Sequence, residues 1–322
     1  MKLLPALALV TAALLTSTAV QAAPNVVASI KPVHSRVAAV MAGVGEPTLI
    51  VKGAASPHTY ALKPSDAGAL ESADIVFWTG HGMELFLTGP LETLSSKAEV
   101  IELANSPGIT LLPVREGGAF EHHSHEGEGG EHDHDHGADG HGHDEHDHDE
   151  EGAGDMHFWL DPHNAELMVT QIANTLAAAD PENAAKYQAN AATEIAALGA
   201  LEAEITATLL PVKDKPFIVF HDAYQYFEKR FGLDVAGSVT VTPDVMPGAQ
   251  RIDELKAKTA ELGATCVFAE PNFEPTIIAA ITEGSAAKAG VLDPEGGALA
   301  EGPNLYPTLL RGLATSLVDC LK

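Results

Sequence analysis

"PFIVFHDAYQYFEKRFGLDVAGSV", residues 216–239, reads as strand, helix, strand. The apolar run Pro216–Phe220 is rich in aromatic and β-branched residues, as is "LDVAGSV" (233–239), and Ala223–Phe231 between them has helical character. Such a unit lays two strands in parallel with a helix crossing between them. His221 stands at the carboxyl end of the first strand, where open α/β sheets collect their ligands.

The same alternation extends in both directions. Towards the C-terminus, "TCVFAE" (265–270) and "GVLD" (290–293) read as strands, with helices over Ala249–Leu262, Pro275–Lys288 and Tyr306–Leu321. Near the start, "NVVASI" (25–30), "PTLIV" (47–51), "DIVFW" (74–78) and "AEVIEL" (98–103) read as strands, with helices over Val33–Ala42 and Pro64–Ser72. The expected fold class is therefore α/β, two lobes with mainly parallel sheets. Between them lies "DPENAAKYQANAATEIAALGALEAEITATLL" (180–210), opened by Asp180 as N-cap and Pro181 at the first helical position, and closed by Pro211. A single helix of that length spans about 45 Å and would brace the lobes, unless it breaks at Gly199.

Two stretches stand apart from this plan. Residues 1–22 have Lys2, the apolar run Leu3–Leu15 and small residues before Ala23, the pattern of a cleavable signal peptide. Residues 117–154 are built from His, Asp, Glu and Gly and cannot bury enough apolar surface to offset chain ordering, so they read as a disordered insert. The expected division is 23–116 and 155–179 for the first lobe, 180–210 for the connecting helix and 211–322 for the second lobe.

A net charge of −27 excludes nucleic acid as a partner. The stretch Glu116–Asp155 holds 15 of the 45 acidic residues and no Lys or Arg, so much of the excess sits in and beside the insert. No stretch after the signal segment is apolar enough to span a bilayer, and the mature chain is expected to be exported and not embedded in a membrane. Cys266 and Cys320 fit an exported chain with one disulfide, the alternative being two buried free thiols.

Ten of the sixteen histidines lie in the insert, which offers many donors without fixed geometry. Three others, His58, His157 and His221, sit in ordered surroundings, and Asp293 stands at a strand end in the second lobe. Three neutral imidazoles with one carboxylate make a four-coordinate set suited to Zn²⁺. Spacing alone does not join these four residues, because they are far apart in the chain.

The motifs "GAASPHTYALKPSD" (53–66), "HFWLDPHNA" (157–165), "FHDAYQYFEKRFGL" (220–233), "FAEPNF" (268–273) and "LDPEGG" (292–297) are similar to those of the cluster A-I solute-binding proteins. These are the metal-binding subunits of bacterial ABC importers, and the resemblance runs from about Asn25 to Leu321. The acidic His-rich insert, His221 and the cysteine pair resemble the zinc-uptake type. The resemblance implies two α/β lobes joined by one long helix, with Zn²⁺ held in the interlobe cleft by His58, His157 and His221. Asp293 is the fourth ligand by the same argument, with water or His81 as alternatives, since "TGHGMELF" (79–86) departs from the usual acidic wording of its turn. Glu270 is placed to orient an imidazole through its other ring nitrogen.

The expected function is periplasmic capture of Zn²⁺ and its delivery, by a monomer, to an inner-membrane ABC permease. Three histidines and an open position also make a catalytic pattern, so a zinc-dependent periplasmic hydrolase is the alternative. No H-E-x-x-H occurs in the chain, which weighs against an enzyme. An adhesin or zinc buffer without a permease, and a manganese-binding relative, share the same site.

Overall fold

The computed structural model describes residues 23–115, 120, 154–240, 247–263, 266–271 and 275–322. Residues 1–22, expected to be a signal peptide, nearly all of the insert, and Asn272 and Phe273 lie outside the described residues.

The first lobe runs β1 (Val26–Ala28), α1 (Lys31–Val40), β2 (Thr48–Leu49), α2 (Pro64–Glu71), β3 (Ile75–Trp78), α3 (Thr88–Leu94) and β4 (Glu99–Glu102), with α4 (Pro162–Ala179) added past the insert. Helix α5 (Ala184–Leu209) leads to the second lobe. There β5 (Phe217–His221), α6 (Gln225–Phe231), β6 (Val235–Thr240), α7 (Ala249–Leu262), β7 (Cys266–Ala269), α8 (Pro275–Thr282), β8 (Lys288–Val291) and α9 (Leu305–Leu321) follow in turn. Both sheets are parallel throughout, in the orders β2-β1-β3-β4 and β6-β5-β7-β8, which is one arrangement used twice. In each, the first strand sits between its second and third neighbours, and the crevice at the carboxyl ends of that central pair is where such folds bind ligands.

Strand β5 shows why the opening stretch folds this way. All five of its residues are buried, as expected of a parallel strand covered on both faces. Phe217 and Val219 join the main core, while Ile218 and Phe220 pack with Leu255 of α7 and with Ile277, Ile278 and Ile281 of α8. The alternation carries on to His221, which shares the inner face with Phe217 and Val219. Helix α6 stops at Gly232, whose φ of +65° admits the left-handed turn that closes it, and Leu233 N–H returns to the Glu228 carbonyl at 3.0 Å.

One apolar cluster runs through both lobes, from Val26 to Leu321. Helix α5 packs on α1 and α4 of the first lobe and on α6 and α9 of the second, burying Tyr187, Ala191, Leu198, Leu201, Ile205 and Leu209. It continues unbroken past Gly199 but begins at Ala184, later than Asp180 and Pro181 imply. Residues 181–183 form a turn, and the Asp180 carboxylate instead accepts from Asn183 Nδ2 at 2.8 Å and Tyr187 Oη at 2.9 Å. Helix α8 likewise stops at Thr282, short of Lys288, where Gly284 turns the chain at a φ of +77° and lets β8 begin two residues before Gly290.

Cys266 of β7 and Cys320 of α9 form a disulfide with Cα atoms 6.1 Å apart, fastening the last helix to the second sheet. Among the described residues no helix is long and apolar enough to cross a membrane.

Candidate metal site

Each predicted histidine arrives on a different piece of scaffold. His58 lies in the turn after β2, its N–H on Ser56 Oγ at 3.3 Å, and Tyr60 anchors the same turn by donating to Asp66 Oδ2 at 2.8 Å. His157 precedes the single helical turn Phe158–Leu160 that leads into α4, whose N-cap Asp161 accepts from His163 N–H at 2.9 Å. His221 ends β5. The structure brings the three together: one ligand atom from each lies within 4.8 Å of the other two. Ring centroids are 5.4 Å apart for His58–His157, 5.6 Å for His58–His221 and 5.1 Å for His157–His221.

Carboxylates set the orientation of two rings. His221 Nδ1 lies 2.6 Å from Glu270 Oε1, and His157 Nδ1 lies 2.9 Å from Asp155 Oδ1. A carboxylate accepts, so each Nδ1 carries a proton, and in the neutral ring each Nε2 offers a lone pair. Those Nε2 atoms face each other at 3.2 Å. The edge of a tetrahedron of nitrogens about 2.0–2.1 Å from Zn²⁺ is about 3.3–3.4 Å, so the spacing fits the ion. Glu270 follows β7, the neighbour of β5, so the pair His221–Glu270 occupies the carboxyl-end crevice of the second sheet.

The first sheet has a matching feature that sequence reasoning missed. Glu84, fully buried, accepts from Ser29 Oγ after β1 (2.5 Å) and from Thr79 and Gly80 N–H after β3 (3.1 Å each). Burial raises its carboxyl above the ordinary range, against the pull of those donors. Asp155 was also missed, although an Asp two residues before a histidine is a recognisable turn-forming signal, and its carboxylate also accepts His157 N–H at 3.0 Å. Burial pushes Asp155 up to about 7, opposed by the His157 N–H, Arg115 and His221.

The imidazoles respond in opposite directions. Burial, reinforced by His221, holds His157 well below its usual value. Burial also works against charge on His221, but Glu270, Asp222 and Asp155 outweigh it and raise the ring above the usual value. Tyr224 donates to Glu270 Oε1 at 3.3 Å, so that carboxylate is held from two sides.

Asp293 and His81 are not part of the histidine group. Asp293 Oδ1 accepts from Glu295 N–H (3.1 Å) and Gly296 N–H (2.8 Å), folding the loop after β8. The His81 side chain is 62 % exposed and lies 3.4 Å from Glu102, with its ring edge-on to Trp78. Of the other described histidines, His163 pairs with Glu166 at 3.4 Å and His34 donates from Nε2 to the Pro47 carbonyl at 3.1 Å.

Two parallel-sheet lobes sharing one core, with imidazoles from both converging between them, define a two-lobed solute-binding protein with a metal-type cleft. The model of the family described as zinc-uptake complex component A, periplasmic, matches residues 26–320, and the chain belongs to that family. It is 56 % identical over 306 residues to the high-affinity zinc uptake system protein ZnuA of Brucella suis, covering 92 % of each chain. To the protein of the same name from Paracoccus denitrificans it is 42 % identical over 299 residues, again covering 92 % of each. A crystal structure of ZnuA superposes with a TM-score of 0.72 at 25 % identity, over 93 % of this chain and all of the other. The family is one of solute-binding transport proteins.

Proposed function

We propose that this chain captures Zn²⁺ in the periplasm, after removal of residues 1–22, and presents it as a monomer to the inner-membrane permease of an ABC importer. The single observation that carries this reading is the convergence of His58, His157 and His221 from both lobes onto one point. His58 Nε2, His157 Nε2 and His221 Nε2 are the proposed nitrogen donors, with Asp155 and Glu270 holding two of the rings through Nδ1. Asp293 is proposed as the fourth ligand: its Oδ1 is engaged by the loop, which leaves Oδ2 to close on the ion. A fourth protein ligand excludes the metal-bound water that hydrolysis needs, so the site carries an ion and does no chemistry on it. Three imidazoles favour Zn²⁺ over Mn²⁺, which prefers oxygen donors. The 117–154 insert is proposed to collect ions weakly and raise their local supply.

The deciding experiment is zinc content after dialysis of the wild type and of His58→Ala, His157→Ala and His221→Ala. Each substitution should abolish retention of the tightly held ion. Retention by all three variants, or displacement of Zn²⁺ by an equal concentration of Mn²⁺, would sink the reading.

A further inference from the structure

Lys31, the first residue of α1, is buried between the lobes with 5 % of its surface exposed. Its ammonium donates to three carbonyls of the second lobe: Gly296 (3.2 Å), Gly297 (2.7 Å) and Leu299 (3.0 Å). A lysine ammonium has three N–H donors, so this one segment exhausts them. The segment is the loop 293–299, which also carries Asp293.

The same loop meets the first lobe at two other places. Trp159 Nε1 donates to the Pro294 carbonyl at 3.0 Å. Gly297 lies against Ala54 so closely that a Cβ there would stand 3.1 Å from Ala54 Cα and 3.3 Å from Ala54 Cβ. Trp159 is two residues beyond His157, and Ala54 is four residues before His58. One loop of the second lobe therefore grips both stretches that carry the first lobe's imidazoles, and none of the three contacts involves an imidazole.

We propose that Lys31 is a positioning residue for metal retention: its ammonium clasps the 293–299 loop to the first lobe, and release of that clasp sets how fast the ion leaves. The inference rests on the zinc-capture reading and deepens it. The bonds are charge-assisted, one buried and two partly so, and parting the loop from Lys31 gives up all three at once. That penalty opposes any movement of Asp293, Trp159 or Ala54 that would open the cleft. An arginine at 31 would keep the charge but present a planar fork that cannot reproduce three convergent bonds.

The test uses the full chain loaded with Zn²⁺ and mixed with excess chelator in a stopped-flow instrument. Wild type, Lys31→Met, Lys31→Arg and Gly297→Ala are compared, with the Co²⁺ absorption spectrum of each reporting the donor set. Lys31→Met should release zinc about tenfold or more faster with an unchanged Co²⁺ spectrum, the effect of losing about one charge-assisted bond's worth of closure, and Lys31→Arg should fall between. Gly297→Ala, whose methyl would crowd Ala54 at 3.1–3.3 Å, should also accelerate release and serves if Lys31→Met does not fold. Release within twofold of wild type in Lys31→Met and Gly297→Ala, even with lowered thermal stability, overturns the proposal. Failure of the wild type to retain zinc would instead overturn the capture reading.

Discussion

His157 Nε2 and His221 Nε2 face each other at 3.2 Å, and each ring is held from behind by a buried carboxylate, Asp155 on one and Glu270 on the other. Two lone pairs aimed at one point repel unless a proton or a cation lies between them. The fold sets this pair in place through unrelated devices, an Asx-type turn before His157 and two neighbouring parallel strands for His221 and Glu270. The rings are thus pre-organised for a cation, and little reorganisation remains when one enters.

The first prediction concerns the two carboxylates. Asp155→Asn and Glu270→Gln should each weaken zinc binding by about 10–100-fold, because ring orientation and basicity depend on these partners. Competition against a chromophoric chelator reads the change. An affinity within twofold of wild type would show that the rings need no support.

Zinc affinity should fall with acid from a pH above the ordinary histidine value of about 6.5. His221 is raised in the metal-free protein, so it binds a proton that zinc must displace, and affinity drops about tenfold per pH unit as pH falls through that raised value. His157, held low by burial, stays neutral over the same range and does not contribute to the drop. Glu270→Gln removes the main group that raises His221 and should move the onset to lower pH. Titrations at a series of pH values check both the onset and its shift.

Deleting residues 117–154 should remove weakly bound zinc equivalents and leave the tightest one intact. The flanks permit the deletion, since Leu112 and Asp155 already form an antiparallel bridge, with Asp155 N–H on the Leu112 carbonyl at 2.7 Å. Isothermal titration counts the sites. Loss of the tightest site would move the principal binding function into the insert.

Replacing Cys266 and Cys320 with Ala should lower stability without changing zinc affinity. The bridge closes a separation of 54 residues, worth about 4 kcal/mol in the chain-entropy model. Denaturant unfolding of the metal-free protein measures the loss. A fall in zinc affinity beyond about twofold would show that the bond between β7 and α9 also shapes the cleft, through Glu270 at the end of β7.

Much of the fold is legible in the chain because strands buried on both faces read as plain apolar runs. Among the described residues, the buried strands β1, β3 and β5 lie within or across runs such as "PFIVF" and "DIVFW", while the more exposed edge strands β4 and β8 read less plainly, as "EVIE" and "KAGV". Boundaries were harder. Asp180 and Pro181 carry a good helix-start signal, yet Asp180 is used by Tyr187 and Asn183, so a tertiary hydrogen bond displaced the local one. Asp161 and Pro162 carry the same start signal and there α4 does begin, its apolar residues Ala165, Met168, Val169, Ile172 and Leu176 recurring at helical spacing, whereas α3 has no side-chain cap to announce it.

The sequence by itself determined the α/β class, the two lobes, the foreign composition of the insert and the residue types able to hold a metal, because composition and periodicity are local properties. Only the tertiary structure decided which of those residues meet. It drew His58, His157 and His221 together, left His81 at the surface and put Glu84 and Lys31 to uses that no local pattern announces. Contacts such as His157–His221 and Lys31–Leu299, 64 and 268 positions apart, depend on how sheets and helices pack, and packing is a property of the whole chain.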